Sequence, residues 1–149
     1  MTDLRYALWA AAAGALIPVM AALNARLGRS LGDPGHAAMV LFAVAFAATS
    51  LVCLAFSGGG PSLSALAAAQ PIDFSGGLIV AGYVLSITLL VRAFGVGNAI
   101  LFVVTAQLFT STAIDHFGLF GAAIRPLTGL RALGLALLLG GAALTQLAR

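Results

Sequence analysis

Five apolar runs follow one another through this chain with little between them, and each is about long enough to carry a helix across the roughly 30 Å hydrocarbon core of a bilayer. They extend from about Leu4 to Leu27, His36 to Phe56, Gly77 to Phe94, Gly97 to Phe117 and Leu127 to Leu147. The charged residues could not cover any other kind of fold. Of the 149 residues, 62% are hydrophobic and 7% are charged, against about a quarter charged in soluble domains. A water-soluble fold is excluded on that ground. Disorder is excluded as well, since it needs low hydrophobicity and high charge. The runs are continuous and rich in Ala and Leu, without the period-two alternation of a transmembrane barrel. The expected fold is all-α and integral to the membrane: one five-helix domain over residues 1–149. The first run is long enough to span, so it is expected to be retained as a helix and not cleaved as a signal peptide.

The joints carry breakers. Gly28, Gly32, Asp33, Pro34 and Gly35 are expected to end the first helix and start the second. Ser57 to Pro61 leave the second. Ser62 to Gln70 is too short to span and reads as an interfacial helix capped by Ser62 or Ser64. Gly95 and Gly97 leave only a few residues between the third and fourth helices, which predicts a tight antiparallel hairpin. Pro126 is expected to open the fifth helix, where its missing N–H costs little. Pro18, in mid-span, predicts a kink in the first. Small residues recur every fourth position at Ala10, Gly14, Pro18 and Ala22, and again at Ala132, Ala136 and Gly140. Such spacing lets helix backbones approach closely in lipid, and an Ala-rich composition would also produce it. Tyr6 and Trp9 fall where an aromatic interfacial belt belongs.

Seven arginines and four aspartates are the whole charge inventory, with no Lys and no Glu. With five spans, Arg5, Arg125 and Arg131 lie on one side of the membrane, and Arg26, Arg29, Arg92 and Arg149 on the other. Orientation follows the Lys/Arg asymmetry of short loops, and three against four is almost no asymmetry. That balance predicts a dual-topology protein inserted both ways. Two such copies form an antiparallel homodimer, a ten-helix inverted-repeat bundle of the kind many transporters contain in one chain. A sister five-helix protein would serve equally as the partner of a heterodimer.

The fourth run holds the polar groups. Gln107, Ser111 and Asp115 recur at i, i+4 and i+8 on one face, and Asn98, Thr105 and Thr112 recur every seventh residue on a second stripe. Interhelical hydrogen bonding and a substrate or ion pathway both explain them. Asp115, followed by His116, is the one acidic residue close to a span, and intramembrane ionisable residues are functional candidates. It either pairs with Arg125 or Arg131 as a clamp or works with His116 in a proton relay; Asp115, His116 and Arg131 are the gating or coupling candidates. Asn24 either faces a polar pathway or caps the end of the first helix. Tyr83 and Ser86 lie one turn apart in the third run, and Tyr83 is either a packing residue or a substrate contact. Arg92 is expected to snorkel to the interface.

Several chemistries are excluded. No Ser-His-Asp arrangement, phosphate-binding loop or cysteine-rich motif occurs, so an enzyme is not expected. An Asp-His pair supplies too few ligands for a metal, and no cofactor is implied. Cys53 is single and sits in an apolar run. The arginines are scattered, which argues against nucleic acid.

Three stretches together resemble the YdcZ-type five-helix branch of the drug/metabolite transporter superfamily. They are GALIPVMAALNARLG, from Gly14 to Gly28; the glycine pair Gly76 and Gly77; and TAQLFTSTAIDHFG, from Thr105 to Gly118, the most specific of the three. Arg131 and Gly134 also fit. The resemblance implies a multi-pass protein of a bacterial inner membrane, similar to one half of a ten-helix transporter. Many relatives carry an amide four residues before the position of Asn24; here that residue is Met20, which leaves an apolar wall. The small multidrug exporters of a sister branch exchange protons through a Glu in helix one, and this chain has no Glu.

The expectation is a small-molecule transporter working by alternating access, with Asn24, Tyr83, Gln107 and Ser111 along the path and, besides a second copy or sister protein, the lipid bilayer and an unknown small-molecule substrate as its partners. A dual-topology ion channel and an accessory membrane protein without flux of its own are the alternatives, and flux separates the three.

Overall fold

The computed structural model describes residues 2–147, and side chains from Leu4 onward; Arg149, counted above among the loop arginines, lies outside them. Among the described residues there is no strand. Six helices form, α1 (Thr2–Leu31), α2 (Pro34–Phe56), α3 (Leu63–Ala68), α4 (Ser75–Phe94), α5 (Val96–Phe117) and α6 (Gly129–Leu147). All but the short α3 are long and apolar enough to cross a membrane.

The helix ends follow local chemistry, and in four places they depart from the sequence expectation. α1 does not stop at Leu27. It runs to Leu31 and ends at Gly32, whose φ of +76° only glycine adopts freely. α2 starts at Pro34, not His36, because Asp33 caps it: the carboxylate accepts the His36 N–H at 2.9 Å, and Pro34 fills a first-turn position where no donor is needed. α4 opens at Ser75 instead of Gly77, continuing from a 3₁₀ turn over Pro71–Phe74 in which the Gln70 N–H donates to Asp73. Pro126 does not open the last helix. α6 begins at Gly129, where the Thr128 hydroxyl accepts the Arg131 N–H at 3.3 Å, so the hydroxyl cap and not the proline sets the boundary. Ser62 caps α3 by accepting the Ala65 N–H. Pro18 lies inside an α1 that stays helical throughout. Its missing N–H leaves the Gly14 carbonyl without the donor four residues on.

The chain divides into two compact units, Met1–Val96 and Gly97–Arg149. In the first, α1, α2 and α4 all pack against one another. α1 contributes Ala21, Asn24, Ala25 and Gly28, and α4 contributes Val84, Ile87, Thr88 and Val91, all of them buried. Each set has the spacing i, i+3, i+4, i+7, which is one face of a helix. Ala37 and Ala38 complete the core from α2. In lipid no hydrophobic force draws helices together, so close van der Waals packing must do so, and small residues permit it. At Gly28 the three helices come close. A Cβ there would meet Pro34 Cα at 3.4 Å, Ala37 Cβ at 3.6 Å and Thr88 Cγ2 at 3.7 Å.

This is not the small-residue stripe expected from the sequence. Ala10 and Gly14 are exposed, Pro18 and Ala22 only half-buried, and a Cβ at Gly14 would have nothing within 4 Å. The stripe that packs is the neighbouring one. Ala132, Ala136 and Gly140 of α6 are likewise exposed.

In the second unit α5 and α6 are antiparallel and tied by a polar pair at each end. The Gln146 amide donates to Asn98 Oδ1 at 3.2 Å, and Arg131 Nη2 donates to Asp115 Oδ2 at 3.2 Å. Between the ties a cleft of about 290 Å³ opens, lined by Leu108, Thr112, Gly134, Leu135 and Leu138, with Arg131 at one end. The turn after α5 is tight. Gly118, Phe120 and Gly121 all have positive φ, and the Arg125 N–H returns to the Asp115 carbonyl at 2.8 Å.

Candidate functional site

The first unit places one polar pair inside its core. Asn24 of α1 is 4% exposed and Thr88 of α4 is 0% exposed. Asn24 Nδ2 donates to Thr88 Oγ1 at 2.7 Å, and Thr88 Oγ1 donates in turn to the Val84 carbonyl at 2.7 Å. Neither group has water to turn to in the bilayer, so the chain of bonds offsets a burial cost that would otherwise be several kcal/mol for each polar group. Asn24 therefore does not cap α1, which continues seven residues beyond it to Leu31.

Asn24 also lines an open cleft between α1 and α2. Its volume is about 470 Å³, and Met20, Leu23, Leu27, Val40 and Val44 supply much of its wall. No charged side chain lines it. Met20 and Asn24, one helical turn apart, stand on the same wall.

Tyr83 of α4 is half-buried, and its hydroxyl is a buried polar atom without a hydrogen-bond partner among the described residues. A sealed hydroxyl without a partner costs about 1–3 kcal/mol. Ser86, one turn on, is exposed.

In the second unit Gln107 and Ser111 lie one turn apart on an exposed face of α5. Ser111 donates to the Leu108 carbonyl at 3.1 Å; the Gln107 side chain makes no hydrogen bond among the described residues. Thr105 and Thr112 are buried and donate to the carbonyls four residues back, Leu101 and Leu108. Their hydroxyls are satisfied within α5, and Asn98 alone of that stripe accepts from α6. Asp115 and Arg131 form an ion pair with side chains 34% and 42% exposed. His116 does not engage Asp115. Its Nδ1 accepts the Leu127 N–H at 2.9 Å, which pins the loop to the end of α5 and leaves Nε2 carrying the proton of the neutral ring. Arg125 reaches Asp115 through backbone atoms only.

Outside the spans, the bond from the His36 N–H holds the Asp33 carboxyl below its usual range. Arg92 contributes to this in a small way. Two participants went unmarked in the sequence reading. Thr88 gave no signal, because an isolated threonine in an apolar helix ordinarily bonds its own backbone. Gln146 gave one: it is the amide nearest the end of the last run, opposite Asn98 in any antiparallel hairpin.

Among the described residues no group of His, Cys, Asp or Glu could hold a metal. Five spans with hydrogen-bonding side chains set among them define a polytopic membrane protein with polar groups inside the bilayer. The chain belongs to the DMT_YdcZ family, whose model, described as "Putative inner membrane exporter, YdcZ", matches residues 5–144. It is accordingly a multi-pass inner-membrane protein with a transporter's role. The comparison with curated proteins finds no match, and neither does that with solved structures.

Proposed function

We propose that the chain moves a small molecule out across the inner membrane by alternating access, as an antiparallel dual-topology dimer. Gln107 carries the reading. It sits in mid-span on an exposed face of α5, and no described residue satisfies its amide. An amide left against lipid costs several kcal/mol, so its natural setting is a water-filled path or the surface of a second copy. Ser111 extends the same face by one turn. Asn24, and Tyr83 once its sealed hydroxyl is uncovered, are the polar groups that the first unit offers to such a path, and the ion pair of Asp115 with Arg131, with His116 beside it, is its gating element. The near-even division of arginines supports insertion in both orientations, and two inverted copies exchange access by symmetry.

Orientation tests the proposal. Gly58→Cys and Leu147→Cys, each in a Cys53→Ala background, are labelled in intact cells with a membrane-impermeant maleimide. Partial labelling of both sites, near one half, is the expected result. Full labelling of one and none of the other overturns the antiparallel homodimer. Flux in proteoliposomes, saturable and slow compared with a pore, is expected of a transporter; conductance at channel rates overturns that assignment.

A further inference from the structure

We propose that the cleft between α1 and α2 is a binding site for a neutral, largely apolar small molecule carrying a hydrogen-bond donor, which is taken up by the carbonyl of Asn24. The proposal rests on the exporter reading for its biological sense and names the substrate class. Three observations carry it. The cleft, at about 470 Å³, falls in the usual range of small-molecule sites, about 300–1,000 Å³. Its walls from α1 and α2 are apolar apart from Asn24. And Asn24 is fixed: its amide nitrogen is held by the buried Thr88 hydroxyl at 2.7 Å. What remains to the ligand is Oδ1, with the second N–H of Nδ2. That oxygen has no hydrogen-bond partner among the described residues, yet it is not sealed off as the Tyr83 hydroxyl is.

The chemistry follows from this inventory. A cation in the cleft would find no carboxylate, and a carboxylate would find no cationic side chain and at most the one remaining amide N–H; either would lose its hydration with too little to replace it. A hydroxyl or N–H on an apolar body gains a bond to an acceptor already oriented by Thr88, so little ordering is needed on binding. Met20, flexible and polarizable, adjusts the wall to different apolar outlines. An amide in place of Met20 would add donors and acceptors and favour a more polar molecule.

The test is equilibrium binding to the purified full-length protein in lipid nanodiscs. Four radiolabelled probes of similar size are compared: 4-phenylphenol, 4-methoxybiphenyl, biphenyl-4-carboxylate and biphenyl-4-carboxamide. Each affinity is corrected for partition into empty nanodiscs. The phenol is expected to bind about fivefold more tightly than its methoxy analogue, the worth of one ordinary hydrogen bond, and the carboxylate not measurably. Asn24→Leu should bring the phenol-to-methoxy ratio to one. Met20→Asn leaves the Asn24–Thr88 pair untouched and keeps the test decisive if Asn24→Leu does not fold. It should raise the affinity of biphenyl-4-carboxamide relative to the phenol about threefold or more. Equal binding of phenol and methoxy probes to the wild type overturns the proposal and marks the cleft as a seat for lipid chains. So does a preference for the carboxylate, or selectivity unchanged in both variants. Binding needs no flux, so a protein that shows the selectivity but moves nothing refutes the exporter reading alone.

Discussion

The Asn24 amide and the Thr88 hydroxyl, 64 positions apart in sequence, meet at 2.7 Å in the core where α1, α2 and α4 converge. The bond joins two helix faces of the same register, Ala21 to Gly28 and Val84 to Val91. It should therefore count in stability beyond the packing around it. Thr88→Val keeps the shape and strands the amide; Asn24→Leu removes the amide and leaves the hydroxyl its bond to Val84. In a double-mutant cycle read by unfolding in mixed micelles, a coupling of about 0.6–1.7 kcal/mol is expected. Additive single effects would show that the pair is geometric only.

Glycines on the same helix should respond differently. At Gly28 a Cβ finds ordinary contact distances to Pro34, Ala37 and Thr88, so Gly28→Ala should be tolerated while Gly28→Leu drives the three helices apart. Overpacking of this kind costs about 1–3 kcal/mol. At Gly14 nothing stands within 4 Å, and Gly14→Leu should leave the stability of the monomer unchanged. Gly118 is the most demanding position, with a φ of +62° and a would-be Cβ 2.7 Å from Ile124 Cγ1. Gly118→Ala should destabilise by about 1–2 kcal/mol. Thermal shifts of the variants in one detergent check the order.

The five spans were legible because run length and the scarcity of charge leave a bilayer as the only fitting solvent. The helix joints were legible to within a turn. Gly28 misled because glycine marks both the end of a helix and the close approach of two, and only the neighbours decide which. Pro126 misled because Thr128, two residues on, was the stronger signal. The polar stripe of α5 was visible, but its meaning was not: Thr105 and Thr112 turn back on their own helix, while Asn98 crosses to Gln146. Thr88 was out of reach, since its partner lies on a helix far away in sequence and no local pattern encodes that.

Asp33 gives stability a pH dependence. Its folded carboxyl is held below the ordinary carboxylate value, chiefly by the His36 N–H. A depressed folded value means the stabilisation is complete above the unfolded value, about 4, and is lost as pH falls through the lower folded one. Melting temperature should therefore decline as pH drops below about 4. Asp33→Asn, which keeps a capping oxygen but cannot ionise, should flatten that decline. An unchanged slope in the variant would show that Asp33 is not its source.

The Asp115–Arg131 pair is partly open to its surroundings, so each single neutralisation should cost less than about 1 kcal/mol. Function should be more sensitive. Asp115→Asn retains a hydrogen-bond acceptor for Arg131, while Arg131→Leu removes both the charge and the bond that closes this end of the α5–α6 hairpin. Transport is expected to fall further in Arg131→Leu than in Asp115→Asn, and the exchanged pair Asp115→Arg with Arg131→Asp should recover part of it. Equal rates in all four proteins would leave the pair a structural tie with no part in gating.

Gln107 separates a path from a packing surface. If its amide lines a route through the dimer, Gln107→Leu should depress transport at least tenfold, about 1.4 kcal/mol of lost interaction. The monomer's stability should hold or rise, because an amide with no partner in its own chain has been replaced by a lipid-compatible side chain. If instead the amide bonds to the second copy, the same substitution should weaken dimerisation, read by single-molecule photobleaching across a dilution series in lipid. Loss of transport with dimerisation intact supports the path. Loss of both moves Gln107 into the interface, and an unchanged protein in both assays removes it from the mechanism.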